Sequence, residues 1–152
     1  MSLSYIGIGS NIGDRYKNCL RAIELLEKGG VTVKKRSSIY ETEPWGVKDQ
    51  PRFINMAIQI ETTFKPNELL RLLKDIEKEI GRRDSLHWGP RIIDLDILLF
   101  NTVILNEEDL KIPHPFLHER EFVLRPLNEI APDVIHPVFR MSIDELTQRL
   151  LR

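Results

Sequence analysis

Asp94 and Asp96 sit two residues apart in the run Ile93-Asp94-Leu95-Asp96-Ile97-Leu98. Alternation along an extended strand sends both carboxylates to one side, about 7 Å apart along the backbone. Aspartate is rare inside strands, because an unpaired charge there is costly. A divalent, oxygen-seeking ion removes that cost, and Mg²⁺ typically takes one or two carboxylates together with substrate phosphates. Arg82, Arg83 and Arg91 precede the pair, and His114 and Arg120 follow it. Guanidinium forks match phosphate oxygens, so carboxylates for a metal beside arginines for anions is the combination phosphoryl chemistry needs. A solvated Asp pair neutralised by Arg82 or Arg91 fits the same residues.

A second group suits a flat heterocycle. Phe53 and Asn55 alternate onto one side of their strand, offering an aromatic ring beside an amide that both donates and accepts. Trp45 and Phe122 are similar stacking candidates. Packing under a loop is the competing reading for these rings. Glu77, three residues after Lys74, reads from spacing alone as a helical ion pair. The glycines in Gly7-Ile8-Gly9-Ser10-Asn11-Ile12-Gly13 have the wrong spacing for a dinucleotide fingerprint, and no lysine-bearing phosphate loop occurs. No zinc spacing and no serine–histidine–acid order is present either.

These side chains need a scaffold. Tyr5 to Ser10 reads as a strand, with Gly7 and Gly9 leaving one face bare. A helix follows from Arg15 to Lys28, with a stripe of Tyr16, Leu20, Ile23 and Leu26. Val31 to Thr42 is a polar, edge-prone strand, and Phe53 to Thr62 alternates cleanly with Ile54, Met56, Ile58 and Ile60 on one face. Pro66 opens a second helix, with stripe Leu69, Leu73, Ile76 and Ile80, that Gly81 ends. Ile92 to Phe100 is then a strand, expected in the middle of the sheet. After it come a hairpin near Val103-Ile104, a short helix from Pro126 to Ile130 and a last helix from about Ser142. The order is that of an α+β, ferredoxin-like split βαβ sandwich: a mainly antiparallel sheet, two long helices on one face and the site on the other.

With 152 residues, 30% of them charged, and a net charge of −1, the chain reads as one globular domain over 1–152 and argues against broad nucleic-acid binding. No apolar run reaches membrane-spanning length, no signal pattern opens the chain, and the single Cys19 allows no internal disulfide. A cytoplasmic monomer without membrane or nucleic-acid partners is the expectation.

Taken together, several blocks resemble the folate-pathway 6-hydroxymethyl-7,8-dihydropterin pyrophosphokinase family. They are Ser38-Ile39-Tyr40-Glu41-Thr42, Phe53-Ile54-Asn55, Gly81-Arg82, the long run from Trp88 through Leu99, Ile112-Pro113-His114-Pro115, Arg120 to Leu124, and Pro126-Leu127 with Ile130-Ala131-Pro132. The resemblance implies pyrophosphoryl transfer from ATP to the hydroxymethyl oxygen of a reduced pterin, releasing AMP. It assigns two Mg²⁺ ions to Asp94 and Asp96, and the pterin to Thr42, Trp45, Phe53, Asn55 and Phe122. ATP falls to Glu77, Arg82, Trp88, Arg91, Ile97, His114 and Arg120, with Arg82 and Arg91 stabilising the charge in transfer. The sequence departs from the family pattern at Asp84 and His87, where further arginines are usual, and at Glu43 and Phe53, where proline and tyrosine are frequent. Two other classes use some of the same residues: a ferredoxin-like nucleic-acid-binding module, and a metal-dependent phosphohydrolase or glycosyl-type transferase.

Overall fold

The structure is a computed structural model, and it describes residues 1–42, 52–81 and 92–152. The main sheet holds β1 (Ser2–Ser10), β2 (Thr32–Arg36), β3 (Tyr40–Thr42), β4 (Phe53–Thr62) and β5 (Asp94–Phe100), in the order β2-β4-β1-β5 with β3 also on β4. Every pairing is antiparallel. Helix α1 (Arg15–Lys28) therefore links β1 to β2 across β4, and α2 (Pro66–Ile80) links β4 to β5 across β1. Each crossover skips one strand, which is the split βαβ arrangement.

The polar stretch 31–42 breaks at Ser37 into two strands on the same edge of β4. There Ser37 Oγ accepts from Ala57 N at 2.8 Å, and Ser37 N donates to Ala57 O at 2.8 Å. Contrary to expectation, β5 is an edge strand, with β1 alone beside it among the described residues. The first helix also turns differently. Cys19, Ala22, Ile23 and Leu26 face the core, while Tyr16 and Leu20 are 50% and 46% exposed. Helix α2 begins at Pro66 and ends at Gly81, whose φ of 101° is a left-handed conformation that favours glycine.

One core lies between the sheet and α1/α2. It joins Ile6, Ile8, Ile54, Met56, Ile58, Ile60, Leu69, Leu73, Leu95 and Ile97. Each fully buried side chain of this size contributes about 1.5–3 kcal/mol. The opposite face is shared. Tyr5, Ala57, Leu98 and Leu99 pack there with α3 (Glu121–Ile130) and α4 (Ile143–Leu151). Helix α3 starts five residues before Pro126, so this proline lies inside the helix and not at its start. Helix α4 opens on a capping box of Ser142 and Glu145. The expected hairpin is β6 (Leu105–Asn106) with β7 (Lys111–Ile112), just beyond Val103-Ile104. Among the described residues no helix is long and apolar enough to cross a membrane.

Candidate active site

Strand pairing builds the site one row at a time. Gly9 of β1 lies between Asn55 of β4 and Asp94 of β5, and Tyr40 of β3 flanks Asn55 on its other side. The next row holds Ala57, Gly7 and Asp96. Paired residues share a face, and neighbours along a strand alternate. Since Ile8, Ile54, Met56, Leu95 and Ile97 face α1 and α2, the row Tyr40–Asn55–Gly9–Asp94 faces the other way, with Asp96. Two strand spacings put Asn55 and Asp94 about 10 Å apart. Only a glycine stands between them.

Gly9 has a specific steric reason. A Cβ there would come within 2.9 Å of Asn55 Oδ1, closer than such atoms approach. The amide leans over bare backbone, and its Nδ2 donates to Thr42 Oγ1 at 3.1 Å. That bond anchors the amide to β3. Thr42 in turn pairs with Phe53 in register.

The aspartates differ in exposure: Asp94 is half-buried and Asp96 exposed. Among the described residues no third carboxylate, histidine or thiol completes a group able to hold a metal. Such a pair fits Mg²⁺, which retains water and takes its remaining ligands from substrate phosphates, better than it fits a closed structural site.

Glu77, only 4% exposed, reaches β5 from behind, where its Oε2 accepts from Leu95 N at 2.9 Å. Lys74 Nζ lies 3.6 Å from its other oxygen, the pair that the helical spacing predicts. The Leu95 N–H thus points away from β1, and so by strand alternation does that of Ile97. Ile97 buries its side chain in the helix-side core. What it leaves at the sheet edge is backbone.

At Tyr5/Ile6 the β1–β5 register shifts, and Leu98 has no opposite residue. Its carbonyl accepts instead from His114 N at 3.0 Å, which brings the segment after β7 against β5. His114 Nδ1 accepts from Phe116 N at 3.2 Å, so the neutral ring carries its proton on Nε2 as a donor. Burial, and then the positive charge of Arg120, push its pKa down to about 4. The Arg120 guanidinium sits 4.9 Å from the ring centre of Phe116 and 5.7 Å from that of Phe122. Both are cation–π distances, which stiffen an otherwise mobile side chain.

The structure thus gathers Thr42, Phe53, Asn55, Asp94 and Asp96 on one sheet face, and links His114, Arg120 and Phe122 to each other. Trp45, Arg82, Trp88 and Arg91, with Asp84 and His87, lie outside the described residues. Phe116, beside His114 and Arg120, was not legible as a site residue, because its ring gains meaning only from the Arg120 stack.

A sequence model of the 7,8-dihydro-6-hydroxymethylpterin-pyrophosphokinase (HPPK) family matches residues 5–132. The chain is 52% identical over 134 residues to the 2-amino-4-hydroxy-6-hydroxymethyldihydropteridine pyrophosphokinase of Bacillus subtilis, covering 88% of this chain and 80% of that one. It is 45% identical over 145 residues to the enzyme of the same name from Aquifex aeolicus, covering 95% and 90%. An HPPK-DHPS crystallised with substrates superposes on 97% of this chain and 43% of its own, with TM-score 0.77 at 16% identity, a likeness of fold. With the split βαβ sheet, the bare glycine row and a family match over most of its length, the chain belongs to the 7,8-dihydro-6-hydroxymethylpterin-pyrophosphokinase family.

Proposed function

We propose that the chain transfers the pyrophosphoryl group of ATP to the hydroxymethyl oxygen of 6-hydroxymethyl-7,8-dihydropterin, a step of tetrahydrofolate synthesis. The hydroxymethyl oxygen bonds to the β-phosphorus as it gives up its proton to solvent, the bond from that phosphorus to the α,β-bridging oxygen breaks, and AMP leaves with that oxygen. The row Asn55–Gly9–Asp94 carries this reading, because it sets a heterocycle-reading amide about 10 Å from a carboxylate pair with nothing bulky between.

Asn55, its amide fixed by Thr42, pairs with the polar edge of the pterin, while Phe53 and Phe122 enclose the ring and Trp45 completes the pocket. Asp94 and Asp96 would hold Mg²⁺, two ions in all, which would supply neutralisation of the triphosphate charge and in-line alignment. The outer backbone of Ile97 contacts ATP, and Glu77 supports that edge from below. His114 donates through Nε2 to a phosphate oxygen. Arg120, stacked on aromatic rings, presents its guanidinium to phosphate without first having to be ordered. Trp88 joins the ATP site, and Arg82 and Arg91 meet the charge in transfer. The domain acts as a monomer in the cytoplasm, a placement that rests on composition and the lone, buried Cys19.

Asp96→Ala tests the assignment. The exposed side chain has little part in the core, so the variant should keep its thermal midpoint within about 2 °C and still bind the pterin. Its Mg²⁺-dependent turnover should fall at least a hundredfold. Near-normal activity at ordinary Mg²⁺ would remove the carboxylate pair from the mechanism.

A further inference from the structure

Glu129 lies near the end of α3, outside the roles given above. Its carboxylate gathers donors from the segment that joins β2 to β3. Ser38 N donates to both oxygens at 3.1 and 2.9 Å, Ser38 Oγ donates at 3.1 Å, and Tyr40 Oη donates at 2.7 Å. Burial alone would raise the pKa of this carboxyl. The bonds from Tyr40 and Ser38 outweigh it and hold the value below the usual range. Isolated surface carboxylates contribute little, but a convergent set of charge-assisted bonds across about ninety residues of chain fixes two segments together.

Among the described residues, little else holds this segment. β3 has three residues, none fully buried, and among the described residues it pairs with β4 alone. Glu41 within it has ion pairs at 3.6 Å with Arg15 and Arg52, all with substantial exposure and so weak. Such short edge strands fray readily. Yet this strand carries Thr42, the acceptor that fixes the Asn55 amide, and Tyr40 lies directly opposite Asn55 on the same sheet face. Helix α3 carries Phe122 in its first turn and Glu129 in its last.

We infer that Glu129 is a positioning residue for the heterocycle pocket, clamping α3 with Phe122 to β3 with Thr42 so that ring wall and amide keep one spacing. The inference rests on the reading of Thr42, Asn55 and Phe122 as pterin-binding residues. It ties the block Ser38 to Thr42 to the helical turn between Leu127 and Ile130. It also separates two functions. Loosening the clamp should disturb the pterin and leave ATP, held on the β5 side, nearly untouched.

The test uses the full chain and calorimetric titration with 6-hydroxymethylpterin in the presence of a non-hydrolysable ATP analogue. Tyr40→Phe removes one bond without touching a core, and Glu129→Ala removes the whole set. Expected are pterin Kd values raised about 3- to 10-fold for Tyr40→Phe and further for Glu129→Ala. The Kd for the ATP analogue should stay within about twofold, and Glu129→Gln should recover part of the loss. Asn55→Ala is titrated alongside. If Asn55→Ala weakens pterin binding but neither clamp variant does, whatever happens to thermal midpoints, Glu129 only stabilises the fold and the inference is overturned. If Asn55→Ala also binds pterin normally, the pocket itself is misplaced and the inference goes with it. Should Glu129→Ala not fold, Tyr40→Phe decides alone.

Discussion

Gly9→Ala is the smallest change that should blind the site while sparing the fold. The new methyl would lie 2.9 Å from Asn55 Oδ1, whereas the nearest backbone atom, the Ile54 carbonyl oxygen, stands at an ordinary 3.6 Å. The obstruction is thus the end of a rotatable side chain, and the amide turns away while the strand stays. Turning breaks the 3.1 Å bond to Thr42, a loss of about 0.5–1.5 kcal/mol. Replacing glycine within a strand returns roughly 0.5–1 kcal/mol of backbone entropy. The two nearly cancel, so urea denaturation should place the variant within about 1 kcal/mol of the parent. Binding has no such offset. A misaimed amide leaves polar atoms of the heterocycle edge unpaired, at about 1–3 kcal/mol, or roughly 5- to 150-fold in pterin affinity. Calorimetric titration beside an ATP analogue reads this directly. A double-mutant cycle sharpens it: in an Asn55→Ala background the atom that the methyl strikes is gone, so Gly9→Ala should add almost nothing. Pterin affinity within twofold of the parent, or losses that add in full, would refute the steric argument.

Two further outcomes concern buried polar groups. Glu77→Leu keeps shape but leaves the buried Leu95 N–H without its acceptor, and should cost about 1–3 kcal/mol in chemical denaturation, while Glu77→Gln, whose amide oxygen still accepts, should lose under about 1 kcal/mol. A Leu variant as stable as the parent would show that the bond does not hold β5. The buried ring of His136, whose Nδ1 accepts from Val138 N and Phe139 N, has its pKa pushed down to about 4 by burial and then by the charge of His118. The unfolded chain therefore takes up this proton first, and the stabilisation present above about pH 6.5 is lost as the pH falls towards 4. His136→Asn, whose Oδ1 replaces the acceptor, should lose less stability than the parent between pH 7.5 and 4.5; equal losses would contradict the assignment.

Much of this architecture follows from local pattern. The alternation of Ile54, Met56, Ile58 and Ile60 defines β4 and its two faces, and Pro66 and Gly81 bound α2 where the sequence places them. The carboxylates and Asn55 could be picked out because polar groups on strands stand against expectation. Other features depend on partners that periodicity does not reveal. Tyr16 and Leu20 follow a helical stripe as well as Cys19 and Ala22 do, and only the position of the sheet decides between them. The edge place of β5 is a matter of topology, since Ile93 to Phe100 is apolar enough for a central strand and gains its protection from Glu77. Glu129 reads as one more polar residue on an amphipathic helix until Ser38 and Tyr40 come to it from across the chain. Proline favours first turns, yet α3 starts at Glu121, and packing of Leu124 and Leu127 carries the helix through Pro126.

On the proposed reading, the carboxylate pair and the Asn55 pocket serve one reaction, pyrophosphoryl transfer from ATP to a reduced pterin. Chromatography of the nucleotide and pterin products, after incubation with ATP, Mg²⁺ and 6-hydroxymethyl-7,8-dihydropterin, tests it most directly. Expected are AMP and pterin pyrophosphate in equal amounts, neither forming without the pterin. ADP as the nucleotide product, or ATP consumption indifferent to the pterin, would contradict it.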